Sequence, residues 1–264
     1  MAASTAKERF TAIWHHPIPA HLSIQEFSAK MEAQADSLLA LPSAQKNLLK
    51  YDLIIPNNKL DNYFKALGFP EQQPVVLGKI ECESAEHCAQ FLRDADAMKK
   101  ISTAQEFAGA SMFSVDVVTK IDAGSADGCD ACIGIFKCPP HLSRTQFHEF
   151  VDKASNGFVA LPTMQKNAVK QTMWIKNDTI EKDVQAMGIP AAETVAVFMV
   201  QAPFDPNMIE VLTVLLHDLS NTKQLLQVWT DDGLRQHFAG VDKAATNEYS
   251  NRFSADIVNK LDRS

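Results

Sequence analysis

Apolar residues along the chain follow strand spacing and helical spacing in turn, and this alternation predicts the elements of both halves. Short runs rich in β-branched and aromatic residues predict strands. These runs cover residues 10–16, 48–55, 75–80, 113–118, 131–137, 168–175, 195–200 and 253–258. Apolar residues at i, i+3 and i+4 fill the intervals between them. Each half is therefore predicted to run strand, helix, strand, short helix, strand, helix, strand.

The first long helix of each half has a start signal in the sequence. Ser23 with Glu26, and Ser143 with Gln146, match the capping box, in which two side chains bond each other's free backbone donors. A proline stands where each helical pattern stops, and a strand is expected to follow. These prolines are Pro42 and Pro162.

The short helices and the last helices have weaker signals. Asn58 and Asp178 are the expected caps of the short helices. Gly68 and Gly188 suit the left-handed residue that closes a helix. A single helix is expected over 84–98, and further helical pattern lies within 205–245.

The two halves also share sequence. Residues 41–50 read LPSAQKNLLK, and 120 positions later residues 161–170 read LPTMQKNAVK. The last strands match at an offset of 140, so the second half carries about twenty extra residues. Chance is a poor explanation for such matches, and the chain is predicted to contain an internal repeat.

Without the short helix, the order of elements is the split βαβ arrangement of a ferredoxin-like unit. A four-stranded antiparallel sheet with helices on one face must have its other face covered. Two units in one chain can cover each other and close into a shared barrel with the helices outside. We therefore expect an α+β fold with a first repeat over 1–122, a linker over 123–129, and a second repeat over 130–264 with an insertion near 205–245.

Composition excludes several classes of protein. The formal charge of −7 and the pI near 5.6 give no excess of cations for a nucleic-acid groove. No apolar run approaches the length of a membrane span, and the first residues lack the apolar core of a signal peptide. The five cysteines are an odd number without a paired framework. A cytoplasmic protein without nucleic-acid or membrane partners is expected.

Two motifs resemble a known family. The run Pro-x-His-Leu-Ser-x-x-x-Phe begins at Pro19 and Pro139, and Ala-Leu-Pro follows at 40–42 and 160–162. Together they resemble the Gly-Leu-Ser-x-x-x-Phe and Leu-Pro pattern of EthD-like proteins in the dimeric α/β-barrel superfamily. The resemblance covers both halves and implies an intramolecular dimeric α/β barrel, a pseudo-dimer with a ligand cavity.

The same resemblance leaves the reaction open. Members of the superfamily include polyketide cyclases, decarboxylases, monooxygenases, haem enzymes and proteins without known activity, so the fold alone names no chemistry. Such sequences often carry a histidine seven positions before the Leu of Leu-Pro. Gln34 and Ala154 stand at those positions here, so chemistry that depends on this histidine does not carry over.

Motifs for other chemistries are absent or isolated. The sequence contains no Gly-rich phosphate loop, no His-Glu-x-x-His and no Gly-x-Ser-x-Gly. Cys129 and Cys132 have the spacing of a metal or redox motif, but no second Cys or His pair accompanies them. We therefore expect neither a metal nor a cofactor. A haem protein that uses His217 or His237 is the least favoured alternative.

The first strand offers a candidate base. Strand alternation puts Trp14 and His16 on one face and Ile13 on the other. The Ile13 face is the more uniformly apolar and is expected to pack under the helices, so Trp14 and His16 are expected to point into the barrel. An imidazole there could act as general base or acid. The alternative is a structural histidine bonded to a backbone carbonyl.

Further candidates occupy matched positions in the two halves. Asp116 and Asp256 lie at the same place in the last strand of each half and could work as acid and base. They could equally be solvent-facing residues. Tyr51 and Lys79 correspond to Gln171 and Met199, so the two halves of a cavity would differ in chemistry.

These residues lead to one expectation and its alternatives. The protein is predicted to bind a small apolar, aromatic or polyketide-like molecule and to catalyse a cofactor-free acid/base step such as cyclisation, dehydration or decarboxylation. His16 is the predicted base and Asp116 or Asp256 its partner, while Trp14, Tyr51 and Lys79 are predicted to contact the substrate. The alternative is a non-catalytic or stress-related binding protein. A homodimer of pseudo-dimers is the expected further assembly.

Overall fold

The computed structural model describes residues 9–66, 73–102, 109–126, 128–203 and 250–263. All of the predicted strands are present, and most extend beyond the predicted ends. They are β1 Phe10–Pro17, β2 Leu48–Pro56, β3 Val75–Cys82, β4 Ser111–Asp122, β5 Asp130–Lys137, β6 Lys170–Asn177, β7 Val195–Ala202 and β8 Ser250–Asp262. The helices are α1 Ile24–Leu39, α2 Pro42–Asn47, α3 Asp61–Ala66, α4 Ala85–Leu92, α5 Ala95–Ser102, α6 Arg144–Val159, α7 Pro162–Asn167 and α8 Glu181–Ala186.

The strands close into one antiparallel barrel. Their order around the barrel is β1-β3-β2-β8-β5-β7-β6-β4. Within this ring the first half contributes β4-β1-β3-β2 and the second contributes β8-β5-β7-β6. The halves join where β2 pairs with β8 and where β4 pairs with β6. The fold class is therefore α+β, with an eight-stranded closed barrel.

The helices pack on the outside of the barrel. Phe27 and Met31 of α1 belong to one buried cluster, together with outward-facing side chains of the first half. Phe147 and Phe158 of α6 belong to a second cluster on the other half. Full burial of side chains of this size stabilises a fold by about 1.5–3 kcal/mol each. These two clusters fix the helices against the strands.

A third buried cluster fills the barrel interior. Its members come from all eight strands and from no helix, which places them inside the ring; Ile13, Leu77, Ile133, Trp174 and Val197 are among them. The sheet therefore buries apolar side chains on both faces.

Several predicted helix boundaries are correct. Both capping boxes are present, with the side chain of Ser23 bonded to the backbone of Glu26 and that of Ser143 to the backbone of Gln146. Gly188 has the left-handed φ of 75° expected after a helix. Gly68 and the pattern within 205–245 lie outside the described residues.

Other helix predictions need correction. Pro42 and Pro162 do not lead directly into strands, because each is the first residue of the short helix α2 or α7, where a proline loses no backbone bond. The helix expected over 84–98 is two helices, since the carboxylate of Asp94 accepts a bond from the Ala97 amide and starts α5. The cap of α8 is Ile180 and not Asp178.

Candidate functional site

A cavity of about 560 Å³ lies at one end of the barrel. It is formed by the first residues of β1, β2, β5 and β6 and the last residues of β3, β4, β7 and β8. Its floor includes Trp174 and Met199, which belong to the interior cluster. The apolar centre of the barrel therefore ends in a chamber with polar walls.

The first wall of the cavity consists of Lys50, Asp52, Lys79 and Glu81 on β2 and β3. The Lys79 ammonium lies 2.5 Å from Glu81 Oε1 and 3.5 Å from Asp52 Oδ2. Lys50 Nζ lies 3.8 Å from the same Asp52 oxygen. Asn259 donates a hydrogen bond of 2.9 Å to Asp52 Oδ1. The first wall is thus a connected ion network whose two carboxylates are largely buried.

Glu81 is held by two cations, Lys79 and Arg9. Burial raises the pKa of Glu81, but the ammonium of Lys79 and the guanidinium of Arg9 outweigh it, and the net pKa is lowered. Arg9 Nη1 lies 3.2 Å from Glu81 Oε2. Glu81 is therefore ionised at neutral pH.

The second wall of the cavity consists of Lys170, Thr172, Met199 and Gln201 on β6 and β7. These residues stand 120 positions after Lys50, Asp52, Lys79 and Glu81 in the same order. In the ring of strands, β6 lies opposite β2 and β7 lies opposite β3. An ion network therefore faces one lysine and three uncharged side chains across the cavity.

Two strands separate the walls and add apolar surface. Val117 of β4 and Ile257 of β8 line the cavity on opposite sides of the ring. Among the described residues they are the large apolar side chains with the greatest exposure, at 46% and 37%. Apolar side chains left exposed in a concave site are typical of ligand contacts.

Trp14 and Tyr51 do not lie in the cavity. Both belong to the buried cluster beneath α1, together with Phe27. Gly78 makes room for them, because a Cβ atom there would lie 3.1 Å from the Tyr51 hydroxyl and 3.3 Å from Trp14 Cβ. The prediction that Trp14 and Tyr51 are cavity walls is therefore wrong, and Ile13 is the residue of this strand that faces inward.

His16 follows Trp14 to the helix side of the sheet. Its ring stacks on that of Trp14 with a centroid distance of 5.7 Å, and the residue is 7% exposed. Burial, with a smaller contribution from His15, lowers the pKa of His16 to about 3. The predicted position of His16 inside the barrel is wrong, and its imidazole is neutral under ordinary conditions.

Asp116 and Asp256 also point away from the barrel interior, because their neighbours Val115 and Ala255 face inward. Asp116 Oδ1 accepts a hydrogen bond of 2.7 Å from Asn177. Asp256 Oδ1 accepts one of 2.8 Å from Asn57, and Asp256 also borders the cavity. Of the two interpretations of this pair, the inward one is wrong and the solvent-facing one is confirmed, since both residues are exposed and bond to Asn57 or Asn177 just after a strand or at its end.

The serines beside these carboxylates have matching roles. Ser254 Oγ accepts a hydrogen bond of 3.1 Å from the Leu60 amide, and Ser114 Oγ accepts one of 3.4 Å from the Ile180 amide. Leu60 and Ile180 are both buried and immediately precede α3 and α8. These positions are matched because both halves anchor a short helix in the same way.

Two of the predicted site residues line the cavity, Asp256 and, on the first wall, Lys79. Sequence reasoning missed its partners Asp52 and Lys50, and also Lys170 and Thr172. A signal was available, since Lys50 and Asp52 are charged residues at alternate positions of β2, and Lys170 and Thr172 are polar residues at alternate positions of β6.

In the ranges that the structure describes, no three His, Cys, Asp or Glu side chains are grouped to hold a metal ion. Cys129 precedes β5 and lines the cavity, while Cys132 is buried beneath α6, so the two thiols point into different surroundings. His217 and His237 lie outside the described residues. No helix of the described chain is long and apolar enough to cross a membrane.

Known proteins give one informative comparison. No protein-family model and no curated protein matches the chain. The solved structure of an anthrone oxidase-like protein is 9% identical over 100% of this chain and 98% of its own, with a TM-score of 0.54. A monooxygenase-like protein from Fusobacterium nucleatum is 9% identical over 98% of this chain and 97% of its own, with a TM-score of 0.46. The first likeness shows a shared fold, that of an α+β barrel with eight strands.

Proposed function

We propose that the protein binds a small, largely apolar molecule in the cavity and catalyses a cofactor-free proton transfer on it. The observation that supports this is a single chamber in which an ion network, apolar side chains and uncharged polar side chains converge. Small-molecule sites combine apolar contacts with placed polar groups. This chamber has both, and polar groups form the larger part of its lining. Cyclisation, dehydration and decarboxylation all need such a proton transfer.

Glu81 and Lys79 are the proposed acid/base pair, in place of His16. The Glu81 carboxylate would accept a proton from an acidic C–H or O–H of the ligand, and the Lys79 ammonium would return one to the product or leaving group. The two side chains are 2.5 Å apart, so the proton taken by Glu81 can pass to Lys79 and restore both groups.

Binding without catalysis is the second candidate. The lowered pKa of Glu81 favours it, because a carboxylate stabilised by two cations is a weak base. In that case the ion network would orient a ligand and transfer no proton.

We further propose that the barrel is a pseudo-dimer of two ferredoxin-like repeats, 1–122 and 130–264, related to EthD-like proteins. The equivalent strand orders of the two halves and the recurring Leu-Pro helix starts at Pro42 and Pro162 support this. The five cysteines are free, which suits a cytoplasmic protein. A closed barrel has no free strand edge, so a homodimer would not form by pairing of strand edges.

Obstructing the cavity should abolish ligand binding. Ile257→Trp adds an indole at a partly exposed cavity position, so aromatic fragments that raise the melting temperature of the wild type should lose this effect. Gln25→Trp, at an exposed site on α1, is the matched control and should bind fragments normally. Naphthalene carboxamide is the first probe, and a thermal-shift assay measures its effect on the melting temperature. Equal binding by Ile257→Trp and the wild type would place the site elsewhere.

Proton transfer should depend on the first wall. Asp52→Thr/Lys79→Met/Glu81→Gln gives this wall the residues of the second wall, and we expect it to lower the rate of solvent-deuterium exchange into a bound carbon acid by about a hundredfold. Proton NMR of the recovered ligand measures the exchange. Unchanged exchange would remove Glu81 and Lys79 from the mechanism, whereas binding without exchange in the wild type would establish the second candidate.

A further inference from the structure

Lys170 differs from its counterpart in its electrostatic surroundings. Lys50 Nζ is near two carboxylates, at 3.5 Å from Asp262 and 3.8 Å from Asp52. Lys170 occupies the equivalent place at the start of β6, where the residue two positions later is Thr172. Within the described ranges the Lys170 ammonium makes no ion pair, although its side chain lines the cavity.

Asp122 is the register partner of Lys170 on β4, but the two side chains form no ion pair in the described part of the chain. The Lys170 ammonium on the cavity wall can therefore attract an anionic group of a ligand. Gln201 is the register partner of Lys170 on β7 and lines the same wall, so an amide donor stands beside the ammonium. The Thr172 hydroxyl follows on the same face of β6. An ammonium, an amide and a hydroxyl together suit a carboxylate oxygen.

The rest of the chamber orients the ligand. On the first wall the ammonium groups of Lys50 and Lys79 are already paired with Asp52 and Glu81, so this wall offers an anion no unpaired cation. Val117 and Ile257 lie between the walls and would contact an apolar body. The lining therefore suits a ligand whose anionic end lies at the second wall and whose apolar body lies between Val117 and Ile257.

We propose that the ligand of the cavity is an apolar carboxylate and that Lys170, assisted by Gln201, binds its carboxylate group. This inference rests on the proposed function, because it assigns the ligand class of the same cavity. Its physical basis is independent of the acid/base pair, since Lys170 lies on the wall opposite Lys79 and Glu81.

The test compares two probes of equal shape, naphthalene carboxylate and the neutral naphthalene carboxamide, by isothermal titration calorimetry at neutral pH. A hydrogen-bonded charge pair should make the wild type prefer the carboxylate by about tenfold. Lys170→Gln should lose this preference while its affinity for the carboxamide stays unchanged. Lys166→Gln, an exposed lysine on the neighbouring helix α7, is the matched control and should keep the preference.

The outcomes separate this inference from the proposed function. If the wild type binds both probes equally, or if Lys170→Gln still prefers the carboxylate, the inference is overturned and the cavity remains a binding site. If Ile257→Trp binds both probes as the wild type does, the cavity is not their site and both proposals fail. Failure of the wild type to bind either probe would also count against both.

Discussion

Lys79→Met should destabilise the protein by about 3 kcal/mol, because it leaves the largely buried carboxylates of Asp52 and Glu81 without their shared cation. The triple variant Asp52→Thr/Lys79→Met/Glu81→Gln removes all three charges together. Its free energy of unfolding should lie within about 1 kcal/mol of that of the wild type, because replacing a whole ion network by uncharged residues of similar size costs little stability. Urea unfolding followed by circular dichroism measures both differences.

The second wall supports the expectation for the triple variant. Thr172, Met199 and Gln201 occupy the equivalent positions in the same barrel, so the geometry of these strand ends accommodates the uncharged set. If Lys79→Met were as stable as the triple variant, Lys50 and Arg9 would be sufficient partners for the two carboxylates. The ion network would then be a set of independent pairs.

Lowering the pH should destabilise the protein through His16. Its pKa is lowered to about 3 in the folded state from 6.5, so the unfolded chain binds more protons between these values. The free energy of unfolding therefore has its full value above pH 6.5, the pKa of the imidazole in the unfolded chain. It decreases as the pH falls towards the pKa of the folded state, by about 2 kcal/mol at about pH 5. Burial also lowers the pKa of His15, which acts in the same direction.

His16→Phe isolates this contribution, because a phenyl ring can keep the stack on Trp14 and cannot titrate. The loss of unfolding free energy between about pH 7 and about pH 5 should be much smaller in this variant than in the wild type. His21→Phe, at an exposed position before α1, is the control and should retain the full loss. An equal loss in His16→Phe and the wild type would contradict the assignment.

The elements of the fold were predictable from the sequence because each has a local cause. Capping boxes start α1 and α6, and β-branched runs form the strands. The missed break between α4 and α5 also had a local cause, since Asp94 is a good cap within an otherwise helical pattern. Such boundaries depend on competing local bonds, so periodicity alone does not locate them.

The direction of the strand faces was not predictable by the same reasoning. Alternation separates Ile13 from Trp14 but does not say which of them faces inward. In a closed barrel with helices outside, both faces are buried, so the more apolar face is not necessarily the one beneath the helices. Because the inward face was assigned wrongly, Trp14, Tyr51 and His16 were all predicted to lie in the site.

Charged residues at strand ends were the better indicator of the site. Lys79 and Glu81 alternate with buried Ile80 and Cys82, and charged side chains on a doubly covered sheet must reach an opening or a partner. Asp116 and Asp256 are also charged residues of the sheet, but they lie in the middle of β4 and β8 and bond to Asn177 and Asn57. Only the three-dimensional positions of Asn57 and Asn177 distinguish these cases.

Both walls of the cavity are encoded in one chain, and this has a genetic consequence. In a barrel made from two identical chains, one codon change alters both walls, because symmetry repeats every residue. Here Lys79 and Met199 have separate codons, although they line the same cavity from opposite strands of the ring. Selection can therefore change the group that meets one end of a ligand while the other end keeps its contacts.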